Sequence, residues 1–104
     1  MIRYTTPTHT HIVDDVDLTG CDVYVSYKQG SREAHFPADE VVLEDGNSKI
    51  TVDLSQKQTG GFKAGKVSVQ INWIYPDGRR DAVASKTIEV LDNLLAKVVY
   101  YEGN

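Results

Sequence analysis

Apolar and polar residues alternate along most of this chain. Cys21, Val23, Val25 and Tyr27 alternate with Asp22, Tyr24, Ser26 and Lys28. Ile50, Val52 and Leu54 alternate with Lys49, Thr51 and Asp53, and Val67, Val69, Ile71 and Trp73 with Ser68, Gln70 and Asn72. Period two is the signature of a strand with one packed and one wet face. One-sided burial favours antiparallel pairing over a helix-covered parallel sheet. Weaker strands are predicted over Thr8 to Val13, Glu33 to Phe36, Val41 to Leu43 and Val83 to Leu91. The first is Thr-rich and suits a sheet edge. About seven short strands with regularly spaced turns predict an all-β, antiparallel sandwich.

The breaks carry turn chemistry. Lys28-Gln29-Gly30-Ser31 and Glu44-Asp45-Gly46-Asn47 place Gly where a positive φ costs little. Tyr75-Pro76-Asp77-Gly78 predicts a type I turn that joins the Trp73 strand to the Ile88 strand. Pro37 cannot donate to a ladder and ends its strand. One stretch departs from the alternation. Leu54 to Gly65 predicts a single helical turn near 55–60, capped by Asp53 or Ser55 and stopped by Gly60-Gly61. Phe62 then plugs the open end of the core. Asp92 to Ala96 suggests a second short helix. Lys97 to Tyr101 is a short β-prone tail, and the apolar segment Leu94 to Tyr101 is expected to fold back on the domain or dock on a neighbour. The predicted layout is one sandwich domain over 1–95 and a short tail over 96–104.

Composition adds bounds. The 104 residues fit one domain with a core of its own. The formal net charge is -4, and Asp77 and Asp81 flank Arg79 and Arg80, so no basic stripe points to nucleic acid. No apolar run approaches a membrane span or a signal-peptide core. The product is expected to stay in the cytoplasm of the cell that makes it unless it is released as part of a larger particle. Cys21 is the single cysteine, so an intrachain disulfide is impossible, and a buried small hydrophobe is its expected role.

Candidate chemistry is sparse. His9 and His11 are two apart, hence on one face of a strand, and Asp14 and Asp15 follow. Imidazole and carboxylate together suit a divalent metal, but a third ligand is not fixed by the spacing. His35 stands alone. Asp39, Glu40, Glu44 and Asp45 predict a solvated face rather than a glycosidase pair. Gly60 to Lys66 lacks P-loop spacing, with Val67 where a hydroxyl would be needed. No nucleophile elbow is present. No catalytic residue, cofactor or metal is therefore assigned. Six tyrosines stand out. Tyr27 and Trp73 alternate inward and belong to the core. Tyr24 faces out, and with Tyr100 and Tyr101 it is a candidate for a protein interface. Thr8 and Thr10 join them as the exposed edge.

Two stretches resemble a known family. Arg3-Tyr4-Thr5-Thr6-Pro7-Thr8-His9-Thr10 is similar to the opening of small proteins from phage and prophage tail gene clusters of Gram-positive bacteria. Leu54-Ser55-Gln56-Lys57-Gln58-Thr59, Phe62 and Gly65-Lys66-Val67-Ser68-Val69-Gln70-Ile71 match a second family segment. The layout resembles the Ig-like N-terminal domain of phage baseplate upper proteins. Departures are Tyr4 in place of Gly, His11 in place of an apolar residue and a longer 34–43 segment. Tyr4 argues against the tight turn that a glycine would make there. The resemblance implies a non-catalytic virion structural or assembly protein of a tail or baseplate. Its partners would be other tail proteins or copies of itself, with no nucleic acid and no membrane. The alternative is an Ig-like carbohydrate-binding or adhesion module.

Overall fold

The computed structural model describes residues 1–14, 16–44, 49–83 and 85–99. Eight strands run through them: β1 Thr8–Ile12, β2 Asp22–Gln29, β3 Arg32–Phe36, β4 Val42–Glu44, β5 Lys49–Asp53, β6 Gly65–Ile74, β7 Arg80–Ala82 and β8 Lys86–Val90. They form two antiparallel sheets. The first has the order β1-β5-β4. The second has the order β3-β2-β6, with β7 and β8 both on the far side of β6. The fold is an all-β sandwich, as the alternation predicts. Among the described residues no helix is long and apolar enough to cross a membrane.

Register explains the core. Val23 pairs with Trp73, Val25 with Ile71 and Tyr27 with Val69. Every inward residue of β2 therefore meets an inward residue of β6, which a one-residue slip would reverse. These six are joined from the other sheet by Ile50 and Val52, and from the ends by Val13, Leu18, Leu54 and Phe62, all buried. Phe62 closes the core as expected. After β3, Pro37 ends the ladder and a 3-10 turn over Ala38–Glu40 carries the chain to the first sheet. Gly30 and Gly78 take φ of 58° and 92°, as their turns require, and the Gly78 amide donates to the Tyr75 carbonyl at 2.9 Å. The predicted turn at Glu44-Asp45-Gly46-Asn47 falls mainly outside the described residues.

Four local expectations are corrected. The strand expected over Val83 to Leu91 is the shorter β8, and a further short strand, β7, precedes it with a bulge in register between the two. From Asn72 to Val69, β6 advances three residues while its partners advance four, from Ala82 to Lys86. One extra residue in the partner strand is the definition of a bulge. The short helix α1, Gln56–Gly61, includes both glycines instead of stopping at them. Gly60 is there for close packing, because a Cβ would collide with the Tyr4 ring. Tyr4 itself makes the turn it argued against, with φ of 60°. Its ring rests on Gly60, and the Arg3 guanidinium lies 5.2 Å from the ring centre. Asp92 to Ala96 is not helical. Asn93 spends its side chain on the Arg3 carbonyl and the Leu95 amide, both at 3.0 Å, and such local bonds compete with a helix.

Candidate functional site

β1 presents His9 and His11 to the interior, while Thr8, Thr10 and Ile12 face out. Beneath the two histidines lies the Tyr27 hydroxyl of β2. His9 Nδ1 is 2.9 Å from it and His11 Nε2 is 3.0 Å from it. The hydroxyl has one proton to donate and lone pairs to accept with, so it can serve both imidazoles, each in the role that the ring's tautomer sets. Burial pushes both imidazoles below their ordinary range. For His9 the chain's terminal ammonium adds to this. For His11 the charges of His9 and Lys86 add to it and the value falls to about 4. Burial also raises the Tyr27 phenol. At neutral pH the cluster carries no charge, and it seals the polar underside of an edge strand.

This arrangement bears on the metal ligation suggested by the His spacing. One ring nitrogen of each histidine is spent on Tyr27. Asp14 is exposed, and Asp15 lies outside the described residues. Among the described residues no three metal-binding side chains come together. Cys21 is half-buried rather than buried, and burial raises its thiol, with Asp17, Asp22 and Asp77 adding to the effect. Such a thiol is a poor nucleophile.

The exposed candidates divide between opposite faces. Thr8 and Thr10 lie on the outer face of the first sheet. The Thr8 hydroxyl donates to Asp53 at 2.5 Å, and Thr10 stands across from Thr51. Val42 is the other neighbour of Thr51 in the register, and it and Ile12 are both exposed. Among the described residues β1 pairs only with β5, so it is an edge strand as expected. Tyr24 lies on the outer face of the second sheet and is not brought to the threonines. Tyr100 and Tyr101 lie outside the described residues.

Around Tyr24 the second sheet carries a trough of about 380 Å³, walled by Tyr24, Pro37 and Ile74 and edged by His35, Asn72 and Arg80. A second depression shares His35, Asn72 and Arg80 and continues over Lys28, Glu33, Ser68 and Gln70. Asn72 Oδ1 accepts an N–H of Arg80 at 3.1 Å. The next-door Arg79 is paired with Asp77 at 2.7 Å. Sequence reasoning missed Asn72 and Arg80 because only the β6–β7 register, which sets Arg80 across from Ile74 and Ala82 across from Asn72, makes them diagonal neighbours.

His35 is not alone either. Its Nδ1 is 2.8 Å from the Ser26 hydroxyl, and its Nε2 is 3.6 Å from Glu33. A Ser-His-Glu row invites a catalytic reading, and the backbone answers it. Ser26 sits in the middle of β2, paired to His35 on one side and Gln70 on the other. The local amides are committed to those ladders, whereas an oxyanion site needs N–H groups free to turn to substrate. Glu33 also pairs with Lys28 at 3.8 Å, which makes the row part of a surface ion network.

A different surface gathers at the chain's two ends. Ile2 and Leu91 form a parallel bridge, with the Leu91 amide donating to the Met1 carbonyl at 2.8 Å and the Arg3 amide to the Leu91 carbonyl at 2.9 Å. Ile2, Leu91, Leu94 and Leu95 are nonetheless exposed, Leu94 completely. Farther along, Gln56 clamps the Val99 backbone, accepting its N–H at 2.8 Å and donating to its carbonyl at 2.6 Å. The described part of the tail therefore folds back onto its own domain. No protein-family model matches this chain, and no curated protein matches it.

Proposed function

We propose that this chain is a non-catalytic structural or assembly protein of a phage or prophage virion, placed in the tail or baseplate, that works through protein–protein contacts. The observation that carries the proposal is the apolar surface at the chain ends. Ile2, Leu91, Leu94 and Leu95 stand in water, and the backbone of Ile2, Leu91 and Leu95 is hydrogen-bonded in place. Exposed apolar side chains on a held backbone are what an interface presents before it is covered. The resemblance in the opening segment and in residues 54–71 supplies the tail setting. The strand order supports an Ig-like description. Taking β1 to β6 as strands B, C, C′, D, E and F, and β7 with β8 as G, gives B-E-D on one sheet and C′-C-F-G on the other.

The test is a Leu94→Asp/Leu95→Asp variant. Its melting temperature should match the parent, since both side chains are exposed. It should be lost from tail particles purified from the producing bacterium, in which mass spectrometry finds the parent. A parent absent from such particles would sink the proposal, as would a variant that is incorporated normally.

The trough around Tyr24 favours a second reading, an Ig-like carbohydrate-binding or adhesion module. It predicts glycan-array binding that Tyr24→Ala abolishes.

A further inference from the structure

We infer that the trough on the outer face of the second sheet binds an acidic sugar, a pyranose ring that carries a carboxylate. This deepens the adhesion reading and rests on it.

The two adjacent arginines supply the first observation. Arg79 is neutralised by Asp77 at 2.7 Å. Arg80, at the rim of the trough, has no carboxylate partner among the described residues; its hydrogen bond goes to the neutral Asn72. That bond uses one N–H of the guanidinium and leaves the others available at a residue that lines the trough. A planar fork held this way matches a carboxylate in two-pronged fashion. Two acids share this face: Glu33 is engaged by Lys28 and His35, and Asp22 stands across from Ile74, and neither is paired with Arg80.

The second observation is the lining. Tyr24, Pro37 and Ile74 make an apolar wall against which the C–H face of a sugar ring can lie. Beyond them the floor runs on through Gln70 and Ser68, hydroxyl and amide groups that suit a ligand rich in hydroxyls. A half-open trough that sets an apolar wall beside hydroxyl and amide groups suits a sugar ring, which has an apolar face and polar edges.

The test titrates the ¹⁵N-labelled protein with D-glucuronate, D-glucose and acetate, each to roughly 100 mM, followed by NMR. Glucuronate should give saturable shifts centred on Tyr24, Gln70 and Asn72. Its affinity should exceed that of glucose and of acetate by about tenfold, the worth of one good charge-assisted contact. Arg80→Gln, at an exposed position, should keep the melting temperature and lose that advantage. Equal binding of glucose overturns the acidic specificity while leaving a sugar-binding module in place. Equal binding of acetate overturns the sugar, because the trough would then read a carboxylate alone, as on an acidic protein side chain. An absence of saturable shifts with any of the three sinks both this inference and the adhesion reading, and leaves the assembly proposal standing.

Discussion

One hydroxyl decides how the edge strand is held. Tyr27 is the sole bonding partner of His9 Nδ1 and His11 Nε2 among the described residues, and all three groups are removed from bulk water to differing degrees. Tyr27→Phe keeps the ring and its contact with Phe36 but strands two imidazoles. A loss of about 1–3 kcal/mol is expected, read as a lower urea midpoint with an unchanged slope. The same cluster makes stability depend on acid. An unfolded chain takes up protons on these histidines near their ordinary value of 6.5, whereas in the fold His11 resists until about 4 and His9 is shifted in the same direction. The unfolded state binds more protons between those values, so stability is full above about pH 6.5 and falls as pH drops toward 4. Urea midpoints at pH 7, 6 and 5 should decline in the parent and decline less in a His9→Asn/His11→Asn variant. Equal declines in both proteins would place the acid sensitivity elsewhere. Period two shows that the two histidines share a face. It does not show which face, nor that an inward Tyr27 from another strand lies below them, because that depends on how the sheets stack.

At the scale of elements, α1 is too short to persist by propensity and is held by its ends. Ser55 and Gln58 bond reciprocally at the N-terminus, with the Gln58 amide donating to Ser55 Oγ at 3.1 Å. Thr59, fully buried, donates to the Thr5 carbonyl and accepts the Thr5 amide. Ser55→Ala should cost about 1 kcal/mol, and Gly60→Ala roughly 1–3 kcal/mol, since a new methyl meets the Tyr4 ring. Thermal melts of the two variants check the ranking; a neutral Gly60→Ala would mean that Tyr4 swings away freely. The capped turn was legible because Ser55 and Gln58 are neighbours in sequence. The role of Gly60 was not, because its demand comes from Tyr4, more than fifty residues away. The β7–β8 bulge was hidden for a related reason. Alternation continues on both sides of it, and only pairing with β6 reveals the extra residue. The trough has the same origin: β2, β3, β6 and β7 each contribute residues whose adjacency is a matter of register.

For the molecule as a whole, Arg3 ties together parts that are far apart in sequence. Its Nη2 donates to the Gly60 carbonyl at 2.8 Å, its Nη1 meets Asp92 at 3.3 Å, and its own carbonyl accepts from Asn93 at 3.0 Å. One side chain thus links the N-terminal segment, α1 and the segment after β8. The exposed apolar surface proposed as the interface is built on that junction, since Ile2 precedes Arg3 and Leu94 follows Asn93. A lysine presents one point charge where the guanidinium spans two partners, so it should not substitute. Arg3→Ala is expected to lower stability by roughly 1–3 kcal/mol, mostly from the bond to the part-buried Gly60 carbonyl. The sharper expectation concerns where protection is lost. If Arg3 is the tie, hydrogen exchange at the Leu91, Leu95 and Val99 amides should quicken together with Thr5, while β2 and β6 stay protected. Faster exchange confined to the first few residues would show that the two ends are held independently. In that case the apolar surface would survive the substitution, and Arg3→Ala would match the parent in the particle-incorporation test of the proposed function.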